Sequence, residues 1–395
     1  MTRALPLGRP LRIAYVTGKL AVGGSERQML LLAKHLPKDR FEVEFVLLGA
    51  PGVLAEEARA AGARINALNG PPRHSLPFPL WGYRVLESIW GFVRLVRRRH
   101  YDVVDAWLYG SYALVAVTRP VTHVPTFVSG RRSSSEYKTS FSFAQRLADR
   151  LATRWSDAIV ANAEAVAEDV RSHEHLPAGR VRVIRNAVEL LPPPTPAELR
   201  RMRNAWGAND ESLIVGCVAN YKARKGLEML IDAFADASRT SRATRLVLIG
   251  EGPLHEELQE RAKRLGIGDR VTFVEGVLDA RAIYSAFDIA VLASETEGLP
   301  NVLLEAAAAG RPLIATDAGA SREIVVDGET GILVPIDDRE RMAMAITELV
   351  GDPKQRARYG AAARRRVESE FSVERSVASF AALYEELAAA RRREP

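Results

Sequence analysis

Two glutamates eight residues apart, Glu297 and Glu305, sit in the segment Ser294-Glu-Thr-Glu-Gly-Leu-Pro-Asn-Val-Leu-Leu-Glu305. Pro300 or Asn301 suits the opening of a helix that carries Glu305 just over a turn inside. The backbone amides from Gly298 to Val302 then form a helix start receptive to an anion. Carboxylates are poor neighbours for phosphate but good acceptors for sugar and ribose hydroxyls. Lys222, Arg224 and Lys225 crowd into a second segment, Ala219-Asn-Tyr-Lys-Ala-Arg-Lys-Gly226. Such charges beside a helix N-terminus suit a diphosphate leaving group, although a solvated basic turn has the same composition. In Thr17-Gly-Lys-Leu-Ala-Val-Gly-Gly-Ser-Glu26, Gly23 and Gly24 open a helix where a phosphate or sugar can approach backbone N–H groups. That loop lacks the G-x-G-x-x-G spacing of dinucleotide folds. Gly250-Glu-Gly-Pro253 by itself establishes only a turn.

These segments need strands to present them. Leu11–Val16, Phe41–Leu48, Val103–Trp107, Ala158–Val160 and the weaker Thr126–Ser129 read as buried parallel strands of the first half. Leu213–Val218, Arg245–Ile249, Arg270–Phe273, Ile289–Leu292 and Pro312–Thr316 read so in the second. Amphipathic stretches lie between them, among them Gly24–Leu36, Leu227–Ala237, Leu254–Leu265 and Asn301–Ala309. Strands alternating with helices of this length imply βαβ units and parallel sheets covered on both faces. The pattern restarts after Leu191-Pro-Pro-Pro-Thr-Pro196, a stiff segment that cannot be a strand. The fold class is therefore α/β, with two Rossmann-like doubly wound domains facing a cleft. The expected division is 1–190, 191–368, and a C-terminal helix over 369–395 packing back on the first domain. In such sheets ligands bind outside the carboxyl ends of the strands, where all the segments above lie.

Composition narrows the class. The chain has 395 residues, 47% hydrophobic and 26% charged, which suits two globular cores and argues against extensive disorder. Its single cysteine, Cys217, lies inside an apolar run and reads as a small hydrophobe. One thiol cannot form an internal disulfide, so the expected compartment is reducing and cytoplasmic. Met1–Pro10 carries Arg3, Arg9 and two prolines, unlike a secretory signal. The longest apolar window, Leu76–Val96, is broken by Arg84, Glu87 and Arg94, so no membrane span is expected. Residues 1–190 hold 27 Lys and Arg against 17 Asp and Glu, whereas the remainder holds 28 against 32. A basic first half suggests an anionic partner such as a membrane surface, a polyphosphate or a nucleic acid.

Gly23-Gly-Ser-Glu26, Lys225-Gly226, Gly250-Glu-Gly-Pro253, Glu297-Gly-Leu-Pro-Asn-Val-Leu-Leu-Glu305, Ala309-Gly-Arg-Pro312 and Asp327-Gly-Glu-Thr-Gly331 together resemble the motif series of retaining GT-B-fold glycosyltransferases, in the large family numbered four. The resemblance is dense from Val215 to Pro335 and thinner over residues 40–150. It implies that the second domain binds a nucleoside-diphosphate sugar. Glu305 would take the ribose hydroxyls. Glu297 with the backbone of Gly298, Leu299, Pro300 and Asn301 would bind the transferred sugar, and Lys225 would hold the diphosphate. Gly24 would approach the donor phosphate, and Val277 would contact the base through its backbone. Lys225 and Glu297 are the catalytic candidates.

Two positions depart from the family. Asn220 stands where an arginine is usual, five residues before Lys225, leaving Lys222 or Arg224 to restore that charge. Asp105-Ala-Trp-Leu-Tyr-Gly110 offers Trp107 where the family often carries a histidine. Arg131, after the strand at 126–129, is the candidate contact for an acceptor or phosphate. No D-x-D cluster with strand-end context is present, so no metal and no cofactor is expected, with Lys225 and its basic neighbours carrying the leaving group's charge. The expected partners are a nucleotide-sugar donor and a lipid-linked or polysaccharide acceptor, without nucleic acid. A non-catalytic nucleotide-sugar-binding protein or a sugar-nucleotide epimerase shares these features, whereas a nicotinamide oxidoreductase would need the absent glycine spacing. Arg84–His100, with Val85, Ile89, Val93 and Val96 on one helical side and Trp90, Arg94, Arg97, Arg98 and Arg99 around it, raises peripheral contact with the inner face of a membrane.

Overall fold

The computed structural model describes residues 8–70, 80–239, 243–275 and 280–391. The chain forms two compact units, Met1–Asn186 with Val373–Pro395, and Ala187–Ser372. In the first, the strands are β1 (Leu11–Thr17), β2 (Phe41–Leu47), β3 (Arg64–Ala67), β4 (Val103–Trp107), β5 (Thr126–Arg131), β6 (Ala158–Ala161) and β7 (Val181–Val183). In the second they are β8 (Leu213–Val218), β9 (Thr244–Ile249), β10 (Val271–Val274), β11 (Ile289–Leu292), β12 (Leu313–Thr316) and β13 (Gly331–Val334). Each set forms one parallel sheet, in the orders β3-β2-β1-β4-β5-β6-β7 and β10-β9-β8-β11-β12-β13. Helices cover both faces, so the inner strands are apolar at successive positions rather than at alternate ones. All five residues of β4 are buried, and in β1 only Arg12 is exposed. These are two Rossmann-like domains, as expected.

The strand orders locate the ligand edges. The chain runs outward from β1 to β3 before crossing back to β4, and outward from β8 to β10 before crossing back to β11. Neighbouring strands whose connections depart in opposite directions leave a crevice at their carboxyl ends. The loops after β1 and β4, and those after β8 and β11, are therefore the ones to inspect.

Three edge or near-edge strands, β3, β7 and β13, were not among the expected set, and β5 runs to Arg131 rather than ending at Ser129. The units divide at 186/187 and 372/373, a few residues from the expected 190/191 and 368/369. The Val188 amide donates to the Phe371 carbonyl at 3.0 Å, and Val188 bridges Ser372, so the start of the linker belongs to the second unit. Cys217 is buried in β8, and burial pushes its thiol up to about 12. It is a core residue and not a nucleophile.

The C-terminal helix Val373–Arg391 lies in the first unit. One face of that sheet is covered by helices Leu80–Arg99, Tyr109–Thr122 and Phe143–Trp155, through Phe92, Val96, Tyr112, Val115 and Ala152. The opposite face is covered by helices Gly24–His35 and Val373–Arg391, through Met29, Leu32, Phe380 and Tyr384. Tyr384 donates to Asp105 Oδ2 at 2.6 Å, and Phe380 stacks on Trp107 with ring centroids 6.0 Å apart. Asp105 is fully buried, and burial pushes its carboxyl up to about 6 despite the Tyr384 hydroxyl and the nearby Arg132. A raised carboxyl pKa means that folding favours the protonated form. Its contribution is full below about pH 4 and is lost as pH rises through about 6. We predict that Asp105→Asn, which cannot titrate, gains stability relative to wild type by up to roughly 3 kcal/mol between pH 4 and 7. Denaturant unfolding of both proteins across that range measures the difference. Parallel curves would show that Asp105 is not the titrating group.

Candidate active site

In the second unit, the loops after β8 and β11 meet at the switch point. Lys225 Nζ donates to Glu297 Oε1 at 2.6 Å, and both side chains are partly shielded from water. These are the two residues the sequence singles out as catalytic, separated by 72 positions. Their approach is enforced by the backbone. Gly226 closes the Ala223–Lys225 turn at φ +61°, where a Cβ would collide with the Ala293 carbonyl at the exit of β11. The Glu295 amide donates to the Arg224 carbonyl at 3.0 Å, tying the two loops directly. Behind them Gly319, at φ +55°, lies so close to Glu297 that a Cβ would strike that residue's carbonyl. The Ala320 amide bonds the Gly298 carbonyl at 3.0 Å, and Thr316 Oγ1 donates to the Ser294 carbonyl at 2.5 Å. Three successive strand exits thus hold one short peptide in place.

Gly298, Leu299 and Pro300 are buried, Pro300 caps the next helix, and Asn301 is its first residue. The helix runs Asn301–Ala308. Glu305, on its second turn, lines a cavity of about 340 Å³ together with Val188, Leu191, Pro192, Met202 and Ser285. The proline linker therefore walls a pocket as well as joining the units. Asn220, Lys222 and Arg224 are exposed on the β8 exit. That exit is fastened to the β9 exit, because the Tyr221 amide donates to the Glu251 carbonyl at 2.9 Å. Val277 lies outside the described residues. Among the described residues no group of three or more His, Cys, Asp or Glu is gathered as metal ligands.

The first unit corrects one assignment. Arg131 is not on a loop but is the last residue of β5, only 2% exposed. Its guanidinium lies over the Tyr112 ring at 4.0 Å, with Nε 3.3 Å from Glu174 Oε1 and Nη2 donating to Thr153 Oγ1 at 3.2 Å. Lys138 joins the same cluster, 2.9 Å from Asp149 Oδ2 and 2.6 Å from Glu174 Oε1. These cations hold the Glu174 carboxyl below its usual range despite burial. Nε and Nη2 are thus committed inside the helix layer while Nη1 has no hydrogen-bond partner among the described residues, so what changes is the placement of Arg131, from a loop to a buried strand end. Gly24 is exposed at the first turn of its helix after β1. Across the switch point, Trp107 ends β4 buried, and Leu108 follows at φ 69°, ψ 153°, a region that is almost exclusively glycine's. Such strain is kept where the surroundings over-determine it, commonly at ligand sites.

Residues 199–366 match the family described as glycosyl transferases group 1, and residues 22–190 match glycosyltransferase family 4. Residues 199–366 thus belong to the glycosyl transferases group 1 family. Among the relatives of this chain, a GDP-mannose-dependent alpha-(1-6)-phosphatidylinositol monomannoside mannosyltransferase of Mycolicibacterium smegmatis is 34% identical over 195 residues, 45% of this chain and 51% of that one. An alpha-D-kanosaminyltransferase of Streptomyces kanamyceticus is 29% identical over 245 residues, 61% and 63% of the respective chains. In these two matches the aligned part spans between half and two thirds of the relative. Anabaena HepE, solved with UDP and glucose, superposes with a TM-score of 0.83 over 95% of this chain and 100% of its own. At 21% identity that likeness carries the fold, GT-B.

Proposed function

We propose that this glycosyltransferase moves a sugar from a nucleoside diphosphate to a lipid-linked or polysaccharide acceptor, with retention of anomeric configuration and without a metal. The observation that carries the reading is the Lys225–Glu297 pair at the switch point of the family-matched unit, with Glu305 on the helix that follows the Glu297 loop. Breaking the sugar–phosphate bond builds negative charge on the departing diphosphate. Lys225 stabilises it from the β8 exit, with Lys222 and Arg224 adding field and Asn220 a neutral contact. A preorganised charge needs no reorganisation as the bond breaks. Glu297 releases the ammonium to the phosphate and accepts hydrogen bonds from the sugar hydroxyls, while the Gly298–Asn301 backbone lies against the sugar. Glu305 accepts the ribose hydroxyls. Attack on the leaving-group face, with a donor phosphate oxygen taking the acceptor's proton, fits these residues best. The mannosyltransferase relative acts on a phosphatidylinositol glycolipid and HepE holds a uridine nucleotide, which support a nucleotide sugar and a lipid-borne acceptor here.

Lys225→Ala is expected to lower turnover by roughly a hundred-fold, as does loss of one charge-stabilising donor elsewhere. Radiolabelled donors incubated with a membrane-lipid acceptor fraction, with product anomers resolved, provide the measurement. Chelator should leave the wild-type rate unchanged. Transfer by Lys225→Ala within about three-fold of wild type would remove this residue from the leaving-group site.

The acceptor reading extends to peripheral membrane contact, on altered grounds. Val93 and Val96 pack into the core, so that part of the expected apolar stripe is not free for lipid. Arg97 donates to the Val121 carbonyl, and Arg99 lies 3.6 Å from Glu44. Leu86 and Trp90 are instead 58% and 64% exposed, with Arg94 and Arg98 on the same helix. Helix Phe143–Trp155, in the same layer, exposes Phe143 at 79% and Leu147 at 48%, followed by Arg146, Arg150 and Arg154. Aromatic and aliphatic side chains beside arginines suit an anionic bilayer surface, each basic residue contributing about 1 kcal/mol. No described helix is long and apolar enough to cross a membrane. Co-sedimentation with anionic vesicles should fall at high salt, and by at least about ten-fold when Arg98, Arg146, Arg150 and Arg154 become Ala. Equal binding to neutral vesicles, or none at low salt, would remove the membrane from the account.

A further inference from the structure

Four adjacent strands of the first unit end on buried polar atoms that lack a well-formed hydrogen bond. These are Thr17 Oγ1 at the end of β1, Arg132 Nε and Nη2 directly after β5, and Asn162 Oδ1 directly after β6, while at the end of β4 the Trp107 indole N–H and Asp105 Oδ1 have only each other for a partner. The register sets Val16 beside Ala106, Trp107 beside Gly130, and Arg131 beside Ala161. The four therefore lie in one row along the carboxyl edge, spanning the switch point between β1 and β4. Orphaned buried polar groups are few in native proteins, and such a row signals a bound water, ion or ligand.

Arg132 indicates which. It is 9% exposed, and its guanidinium carbon lies 3.3 Å from the centroid of the Trp107 ring. Nη1 donates to Asn186 Oδ1 at 3.4 Å. One face and one edge are thus committed. Nε and Nη2 point to the same side of the guanidinium, and together they form the fork that grips a carboxylate or phosphate through two parallel hydrogen bonds. That fork is the unpaired part. Asp105 is the counter-charge in its surroundings and acts on Arg132 through space, but it gives Oδ2 to the Tyr384 hydroxyl and lies beside Trp107, and Arg132 makes no ion pair within 4 Å among the described residues. Burial pulls its pKa down to about 10, so the group is still a cation at neutral pH. Arg131, one residue earlier, faces the other side of the sheet and is already paired with Glu174. Helices Gly24–His35, Tyr109–Thr122 and Glu164–His173 follow β1, β4 and β6, and their N-termini add positive potential along the same edge.

We propose that this edge is an oxyanion-binding subsite in which the Arg132 fork holds a phosphate or carboxylate, with the Trp107 indole N–H beside it. In a glycosyl transfer that oxyanion belongs either to the acceptor or to the donor diphosphate. Its naming rests on the transfer reading, but the binding does not.

The test uses the full chain labelled with ¹⁵N-tryptophan, which gives five indole signals. Trp107 is assigned by its loss in Trp107→Phe. Inorganic phosphate is titrated at constant ionic strength, with sodium chloride as the compensating salt. The Trp107 indole is expected to shift saturably with phosphate in wild type and in Lys225→Ala. In Arg132→Lys, which keeps the charge but not the fork, the midpoint should rise at least about ten-fold. In Arg132→Gln the shift should vanish. Repeating the titration with saturating UDP or GDP names the source: a surviving shift assigns the oxyanion to the acceptor, a suppressed one to the donor diphosphate. No saturable Trp107 shift in wild type, or one that Arg132→Lys leaves unchanged, overturns the subsite whether or not the protein transfers sugar.

Discussion

The second unit depends on one contact between two strand exits, the 2.6 Å pair of Lys225 and Glu297. Everything around it serves to bring an ammonium and a carboxylate to the same point and keep them there. The sheet order makes β8 and β11 neighbours, and two glycines with positive φ remove the Cβ atoms that would hold the loops apart. The pair is only partly shielded, so its own contribution to stability is small. Its value lies in poise. Each partner satisfies the other, and under the proposed transfer a donor that supplies phosphate to one and hydroxyls to the other exchanges one set of contacts for two.

Much of this was legible in the amino-acid order, for a physical reason. Inner strands buried on both faces are continuous apolar runs, so Val103–Trp107, Leu213–Val218 and Ile289–Leu292 stand out with the bounds they have in the structure. The motif residues follow those strands directly, so placing the strands places the loops. The strands β3, β7 and β13 were hidden because three or four residues are too few to show a period, and nearby Gly and Pro read as loop. The ion pair itself could not be read, since nothing in the spacing of Lys225 and Glu297 says that β8 and β11 are adjacent. The cavity wall supplied by Leu191 and Pro192 was equally hidden, because a proline run reads only as a spacer.

The first unit shows how a small error in strand length changes a chemical assignment. Ending β5 at Ser129 leaves Arg131 on a loop; extending it by two residues puts Arg131 and Arg132 on opposite faces, because side chains alternate along a strand. Arg131 then falls over Tyr112 and Arg132 over Trp107. The first pairs with Glu174, whereas the second feels the Asp105 charge without forming an ion pair. Trp107, standing where a histidine is common in the family, gives Arg132 a stacking surface in place of an acid–base group. The C-terminal helix closes the same region through Phe380 and Tyr384, so the last residues of the chain complete the surroundings of a site begun near residue 17.

The central claim is that Lys225 serves the phosphate and Glu297 the sugar, and that each restrains the other until a donor binds. Calorimetric titration of Glu297→Gln with UDP, UDP-glucose, GDP and GDP-mannose tests it most directly. The account predicts opposite signs: the bare diphosphate binds more tightly than to wild type, because the ammonium no longer has to leave a carboxylate. The matching nucleotide sugar binds less tightly, because its hydroxyls lose their acceptor. Affinities for both ligands that move in the same direction, or do not move, would contradict it.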